Sequence, residues 1–146
     1  MVLSTVSAVL LVFAAVYHRD TTSDLVGTWD LTEVDGHKLD MKSQPGDQLI
    51  SFGLHADGTF DMKPSLGTWK VDGSNLVLHT NQYDGKTQTQ FRAEMLAKYP
   101  SDSSMQKIAE KVFEDLKLSI GVDDSTLTMF LGGSKQTYIK RPTRQP

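Results

Sequence analysis

The amino-acid sequence predicts a mainly β fold: an up-and-down antiparallel meander closing into a small barrel of about eight strands, with an N-terminal apolar helix and a helical insertion before the last strands. Three observations lead there. From Leu25 onward, tight-turn pairs recur at short intervals: Asp35-Gly36, Asp57-Gly58, Asp72-Gly73, Asp84-Gly85 and Gly132-Gly133. Asp-Gly and Gly-Gly supply the positive φ angles that tight hairpins demand, so each pair is a candidate reversal between adjacent strands. The segments between them alternate as strands do, with Trp29, Leu31 and Glu33 on one side against Asp30, Thr32 and Val34, and Leu76, Leu78 and Thr80 against Val77 and His79. One stretch, Gln88 to Asp115, abandons that alternation for steps of three and four residues.

Taken in order, the chain opens on Val2–Tyr17, a run without a charged side chain in which Val, Leu, Ala and Phe dominate. A spanning helix needs about 20 apolar residues, so this shorter run fits the apolar region of a signal peptide, with Val12-Phe13-Ala14 as the cleavage pattern. No Lys or Arg precedes the run. An uncleaved single-helix anchor, or a buried helix or start-site artefact, are the alternatives. Residues 1–17 are therefore read as a signal peptide or N-terminal membrane anchor, 18–24 as a linker, 25–141 as the barrel domain and 142–146 as a tail. A chain of 146 residues has room for one such domain and no second core.

Strands are expected near 26–34, 48–55, 59–63, 67–71, 75–80, 116–122, 126–131 and 135–141. Eight short strands favour closure, because an open meander leaves two unpaired edges that invite aggregation. The insertion spans about 88–115. Its first helix runs through Phe91, Met95 and Leu96 and stops at Tyr99, since Pro100 disfavours helical geometry in the residue before it. In its second helix Met105, Ile108, Ala109, Val112, Phe113 and Leu116 fall on one face, and Ser103 with Gln106 has capping-box spacing. That face is long enough that it must cover something, and a cap over the open barrel end is the expectation. Gly27-Thr28-Trp29 recurs as Gly67-Thr68-Trp69, but two copies with unlike flanks make no solenoid.

Hydrophobic content of 38% and charged content of 23% belong to a soluble folded chain. The net charge is −3, and acids alternate with bases from Asp20 to Asp124, so the concentrated basic face of a nucleic-acid binder is missing. Only the end of the chain, with Lys135, Lys140, Arg141 and Arg144, is locally basic. The absence of cysteine removes disulfides, thiolate metal sites, cysteine nucleophiles and a lipidated N-terminal cysteine.

Leu25-Val26-Gly27-Thr28-Trp29-Asp30-Leu31, Ala56-Asp57-Gly58-Thr59-Phe60 after Phe52, Gly67-Thr68-Trp69-Lys70-Val71-Asp72-Gly73 and Tyr138-Ile139-Lys140-Arg141 together resemble the small bacterial lipocalin-like domains. Those are exported barrels of the calycin type, mostly of unassigned function, and the likeness covers about Leu25 to Arg141 outside the insertion. It implies that Gly27 and Trp29 close one barrel end and that a basic residue of the last strand, Arg141 or Lys140, covers the indole. Guanidinium or ammonium over an indole face adds about 0.5–2 kcal/mol and would tie the first strand to the last. The META domain, which also begins with a Gly-Thr-Trp strand and carries a helix before its final hairpin, is the second resemblance. Its Gly-Cys-Asn segment has no counterpart here.

Catalytic residues are not evident. His18, His37, His55 and His79 lack the helical spacing of a zinc site, although His55 and His79 could face one another on neighbouring strands with Asp57 nearby. Gly-x-Ser-x-Gly is absent, Gly132-Gly133-Ser134-Lys135 is not a phosphate loop, and Asp123-Asp124 is short of calcium ligands. No catalytic residue, metal or cofactor is assigned.

Binding is the better reading, because a barrel of about eight strands either fills with its own side chains or holds one small ligand. The expected lining is Phe52, Phe60, Met62, Leu76, Leu78, Met129 and Tyr138, large enough to fill much of the space, with Leu131 beside them. The sequence therefore points to a non-enzymatic extracytoplasmic module that binds a small hydrophobic ligand inside the barrel. The alternative is a protein-interaction or inhibitor module acting through loops and the insertion. Neither reading involves nucleic acid, and membrane contact would come only through residues 2–17 if they are retained.

Export is directly testable. Cell fractionation should place the protein outside the cytoplasm, and recovery of the full-length chain as a soluble cytosolic species would overturn the reading of Val2–Tyr17.

Overall fold

The computed structural model describes residues 21–40 and 51–143. The apolar run at 1–17 and the proposed cleavage point lie outside the described residues, as do 48–50 of the second expected strand and the last three residues of the tail. The elements are α1 (Thr21–Leu25), β1 (Gly27–Val34), β2 (His37–Lys38), β3 (Ser51–Leu54), β4 (Thr59–Met62), β5 (Ser65–Asp72), β6 (Asn75–Tyr83), α2 (Gln88–Lys98), α3 (Ser103–Lys111), β7 (Leu116–Asp123), β8 (Thr126–Leu131) and β9 (Ser134–Lys140).

Every strand pair is antiparallel, in the order β1-β3-β4-β5-β6-β7-β8-β9, and β9 returns to pair with β1. This is an eight-stranded up-and-down barrel, with β2 as one extra strand on the second half of β1. β2 was not expected, because a two-residue strand is too short to show alternation. Its turn is Asp35-Gly36, where both residues have positive φ. Asp84-Gly85 is not a strand-to-strand reversal: it leads from β6 into α2, with Tyr83 and Lys86 bridged across it.

Alternation sends one side of each strand inward. Trp29, Leu31, Phe52, Leu54, Phe60, Trp69, Leu76, Leu78, Leu118, Leu127, Met129 and Tyr138 meet Leu25 in one core. Burying a large apolar side chain contributes about 1.5–3 kcal/mol, so these residues outweigh any polar contact in the molecule.

One end is closed by α1, which ends the stretch read as linker. Leu25 plugs the barrel, and the Trp29 indole N–H donates to the Leu25 carbonyl at 2.8 Å. The cation over the indole is Lys140, whose Nζ lies 5.3 Å from the ring centroid and donates to the Asp24 carbonyl at 2.9 Å. Arg141 turns instead to the Asp30 carboxylate, with Nε donating at 3.0 Å. The reason is alternation: Lys140 pairs directly with Trp29 in the β1–β9 register, which puts the next side chain on the outer face. Gly27 makes this possible. Its φ is +147°, and a Cβ there would meet the Lys140 stem at 2.5 Å.

The insertion is a helical hairpin. Thr87 and Gln90 form a reciprocal capping box on α2, which stops at Tyr99 as Pro100 requires. The cap of α3 is Asp102, not Ser103: its carboxylate accepts from the Ser104 and Met105 amides at 3.0 and 3.3 Å. Aspartate reaches those amides one position earlier than the serine spacing suggests.

At Gly67 the β5–β6 ladder shifts register, and a Cβ would overlap the His79 carbonyl oxygen and crowd the Phe60 ring. Gly67→Ala is therefore expected to cost about 1–3 kcal/mol by overpacking. An unchanged urea midpoint would refute this close approach.

Candidate functional site

The end opposite Trp29 is open. β4 and β6 run toward it, and alternation aims Phe60 and Met62 of β4 and Leu78 and Thr80 of β6 into it. Leu116 at the start of β7 completes the barrel side. The other wall is the segment leaving α3, with Lys111, Val112, Glu114 and Asp115, and Ser65 and Tyr83 stand at the rim. Together they enclose a cavity of about 450 Å³, within the range of small-molecule sites. Its base is apolar and its charged groups sit on the hairpin side.

The seven residues expected to line the barrel divide between mouth and core. Phe60, Met62 and Leu78 border the cavity. Phe52, Leu76, Met129 and Tyr138 are buried beneath it, the Phe52 and Tyr138 rings meeting edge-on at 5.0 Å. The lower barrel is thus filled by its own side chains. Gly27 and Trp29 lie at the closed end, and Arg141 on the outer wall with Asp30.

The hairpin does not cap the barrel in the expected way. Of its apolar face, Ala109 and Phe113 are buried, Met105 and Val112 half-buried, and Ile108 and Leu116 are 50% and 37% exposed. Neither Ala109 nor Phe113 joins the barrel core. Phe113 meets Phe91 at a tilt with centroids 6.1 Å apart, and Phe91 meets Tyr83 edge-on at 5.2 Å, so the buried part of the face is spent on α2 and the end of β6. Only its last part, Val112 and Leu116, reaches the mouth.

The histidines are not partners of one another. His55 follows β3 and His79 lies on β6, with β4 and β5 between them. His55 Nε2 is 2.7 Å from Asp61, and His79 Nδ1 is 2.8 Å from Asp115. Asp57 accepts from the Thr59 hydroxyl and amide, which hold its carboxyl below the usual range. Among the described residues no three metal-ligating side chains converge.

A second hollow, about 540 Å³, lies beside α1 at the closed end and is bordered by Val26, Ala56, Trp69 and Val71. It is a groove between the plug and the β3–β4 turn, whereas the mouth continues the barrel axis and collects inward side chains from β4, β6 and β7. The mouth is the candidate site. Tyr83 and the charged residues of the α3–β7 link could not be assigned to it from sequence, because their place depends on how the hairpin folds back.

No protein-family model matches the chain, and no curated protein matches it significantly. Two solved structures are similar. An uncharacterized protein from Bacteroides eggerthii aligns at 17% identity and a TM-score of 0.48, covering 80% of this chain and 99% of that one. A lipocalin-like protein from Bacteroides uniformis aligns at 13% identity and a TM-score of 0.40, covering 81% and 99%.

Tyr138 under the mouth gives a pH test. Burial pushes its phenol up to about 12, and its hydroxyl donates to Gln136 at 2.6 Å. Because the folded value is raised, the contribution of the neutral phenol is intact below the ordinary value of about 10 and is lost as pH rises toward 12. Ultraviolet titration should show one of the four tyrosines ionising late, with stability falling in the same window. A Tyr138→Phe protein that keeps the late phase would contradict this.

Proposed function

We propose that this chain is a non-enzymatic, extracytoplasmic binding module that takes one small apolar ligand in the barrel mouth. The observation that carries the reading is the cavity of about 450 Å³ floored by Phe60 and Leu78 and walled by Val112 and Leu116. Apolar walls supply affinity, and the few polar groups at the rim fix orientation. The lower barrel is filled, which limits the ligand to a compact molecule or the end of a chain. Location outside the cytoplasm is supported by the uncharged Val2–Tyr17 run alone.

A protein-interaction module is the second reading, favoured by Leu96 and Ile108, which are 40% and 50% exposed on the hairpin. Two exposed side chains, one on each helix of the hairpin, fall short of a partner-sized patch, so the ligand reading stands first.

The experiment is fluorescence titration with anilinonaphthalene sulfonate as apolar probe, alongside native mass spectrometry of protein purified from its own envelope. Met62→Glu should weaken probe binding at least tenfold, the effect of an unpaired charge on an apolar wall at about 1.4 kcal/mol per tenfold. Ile139→Glu, on the outer wall, should leave it unchanged. Equal binding by the Met62→Glu protein would remove the mouth as the site.

A further inference from the structure

We propose that the helical hairpin is a side door to the mouth cavity, latched by the hydrogen-bonded His79–Asp115 contact. This regulation presupposes that the mouth is a ligand site. β6 and β7 are laddered only from Asn75–Ser119 to Leu78–Leu116. Beyond Leu78, β6 continues from His79 to Tyr83 bonded as a strand to β5 alone. A free strand edge recruits other chains unless something covers it, and here the hairpin is the cover.

The cover is held by side chains. At the lower end of the seam His79 meets Asp115 at 2.8 Å, and at the upper end Tyr83 meets Phe91 at 5.2 Å. The buried residues of the hairpin, Ala109 and Phe113, lie outside the barrel core, so the hairpin can swing without opening that core. Its two attachments are the Asp84-Gly85 turn, closed by backbone bonds between Tyr83 and Lys86, and the link from Glu114 into β7, so the freer end is the one next to Asp115. Asp115 borders the cavity and precedes Leu116, whereas His79 projects from the outer face of β6 and does not border it. Releasing His79 therefore frees a wall of the cavity while leaving every wall residue in place.

Asp115 on the hairpin side meets His79 in direct contact, and Lys70 of β5 shares the same outer hollow. Lys117 of β7, on the same face, is engaged with Asp72 at 3.8 Å. The pair is half-exposed, so its loss should change opening rates two- to fivefold, the size such pairs support.

Stopped-flow binding of anilinonaphthalene sulfonate to the full chain tests this. His79→Ala should speed association and dissociation alike, two- to fivefold, with the dissociation constant within twofold of the parent. The His79→Ala/Asp115→Asn double variant should be no faster than the single one. Equal rates for parent and His79→Ala, with binding still weakened at least tenfold by Met62→Glu, would overturn the latch and leave the site standing. Probe binding indifferent to Met62→Glu would overturn the site and the door together.

Discussion

The fold depends on β1 bonding along both edges. Strand pairing is satisfied all round only because Gly27–Asp30 bonds to β3 on one side while Trp29–Val34 bonds to β9 on the other. A β1 that paired once would leave the meander open, with two free edges and a half-covered apolar face. What secures the join is the group around Trp29: its N–H on the Leu25 carbonyl, Lys140 over its ring, and Gly27 beneath the Lys140 stem. The indole is fully buried, so the join rests first on apolar burial and second on the cation. Arg141 adds an outer fastening to Asp30 on the same two strands.

Closure at that end determines what the other end can be. Plugged by Leu25 and filled by Phe52, Leu76, Met129 and Tyr138, the lower barrel supplies the rigidity, and the mouth can be incompletely packed without risk to the fold. Above Leu78 the β6–β7 ladder stops, and that part of the seam lies beside the cavity and under the hairpin. Stability and access are thus separated along the barrel axis. Tyr138, whose phenol burial pushes up, belongs to the filled region, its ring edge-on to Phe52.

The barrel was legible in the sequence because its signals are local. Alternation in Trp29-Asp30-Leu31 or Leu76-Val77-Leu78 assigns faces without knowledge of partners, and Asp-Gly pairs mark reversals. Where a signal was ambiguous, the reading erred for identifiable reasons. Asp84-Gly85 has the chemistry of a hairpin turn, yet the chain beyond it is helical. Ser103 has capping spacing, but Asp102 binds the same amides with a charged acceptor. The mouth was half legible: Phe60, Met62 and Leu78 follow from inward alternation, while Tyr83, Lys111 and Glu114 reach it only through the tertiary return of the hairpin.

The apolar face of α3 shows how far periodicity goes. Steps of three and four residues specify that Ala109 and Phe113 share a side, and both are buried. They do not specify what lies opposite. A partner nearby in sequence is reached at lower loop-closure cost than the far side of a barrel, and α2 with Tyr83 is that partner. With Phe91 against Phe113, the buried contacts of the hairpin are kept to its own helices and Tyr83, while Leu96 and Ile108 stay 40% and 50% exposed. Only Val112 and Leu116 remain for the mouth, at the point where the chain must rejoin the sheet. A hairpin whose buried residues lie outside the barrel core can cover the free edge of β6 without being locked into that core. A face driven fully into the core could not.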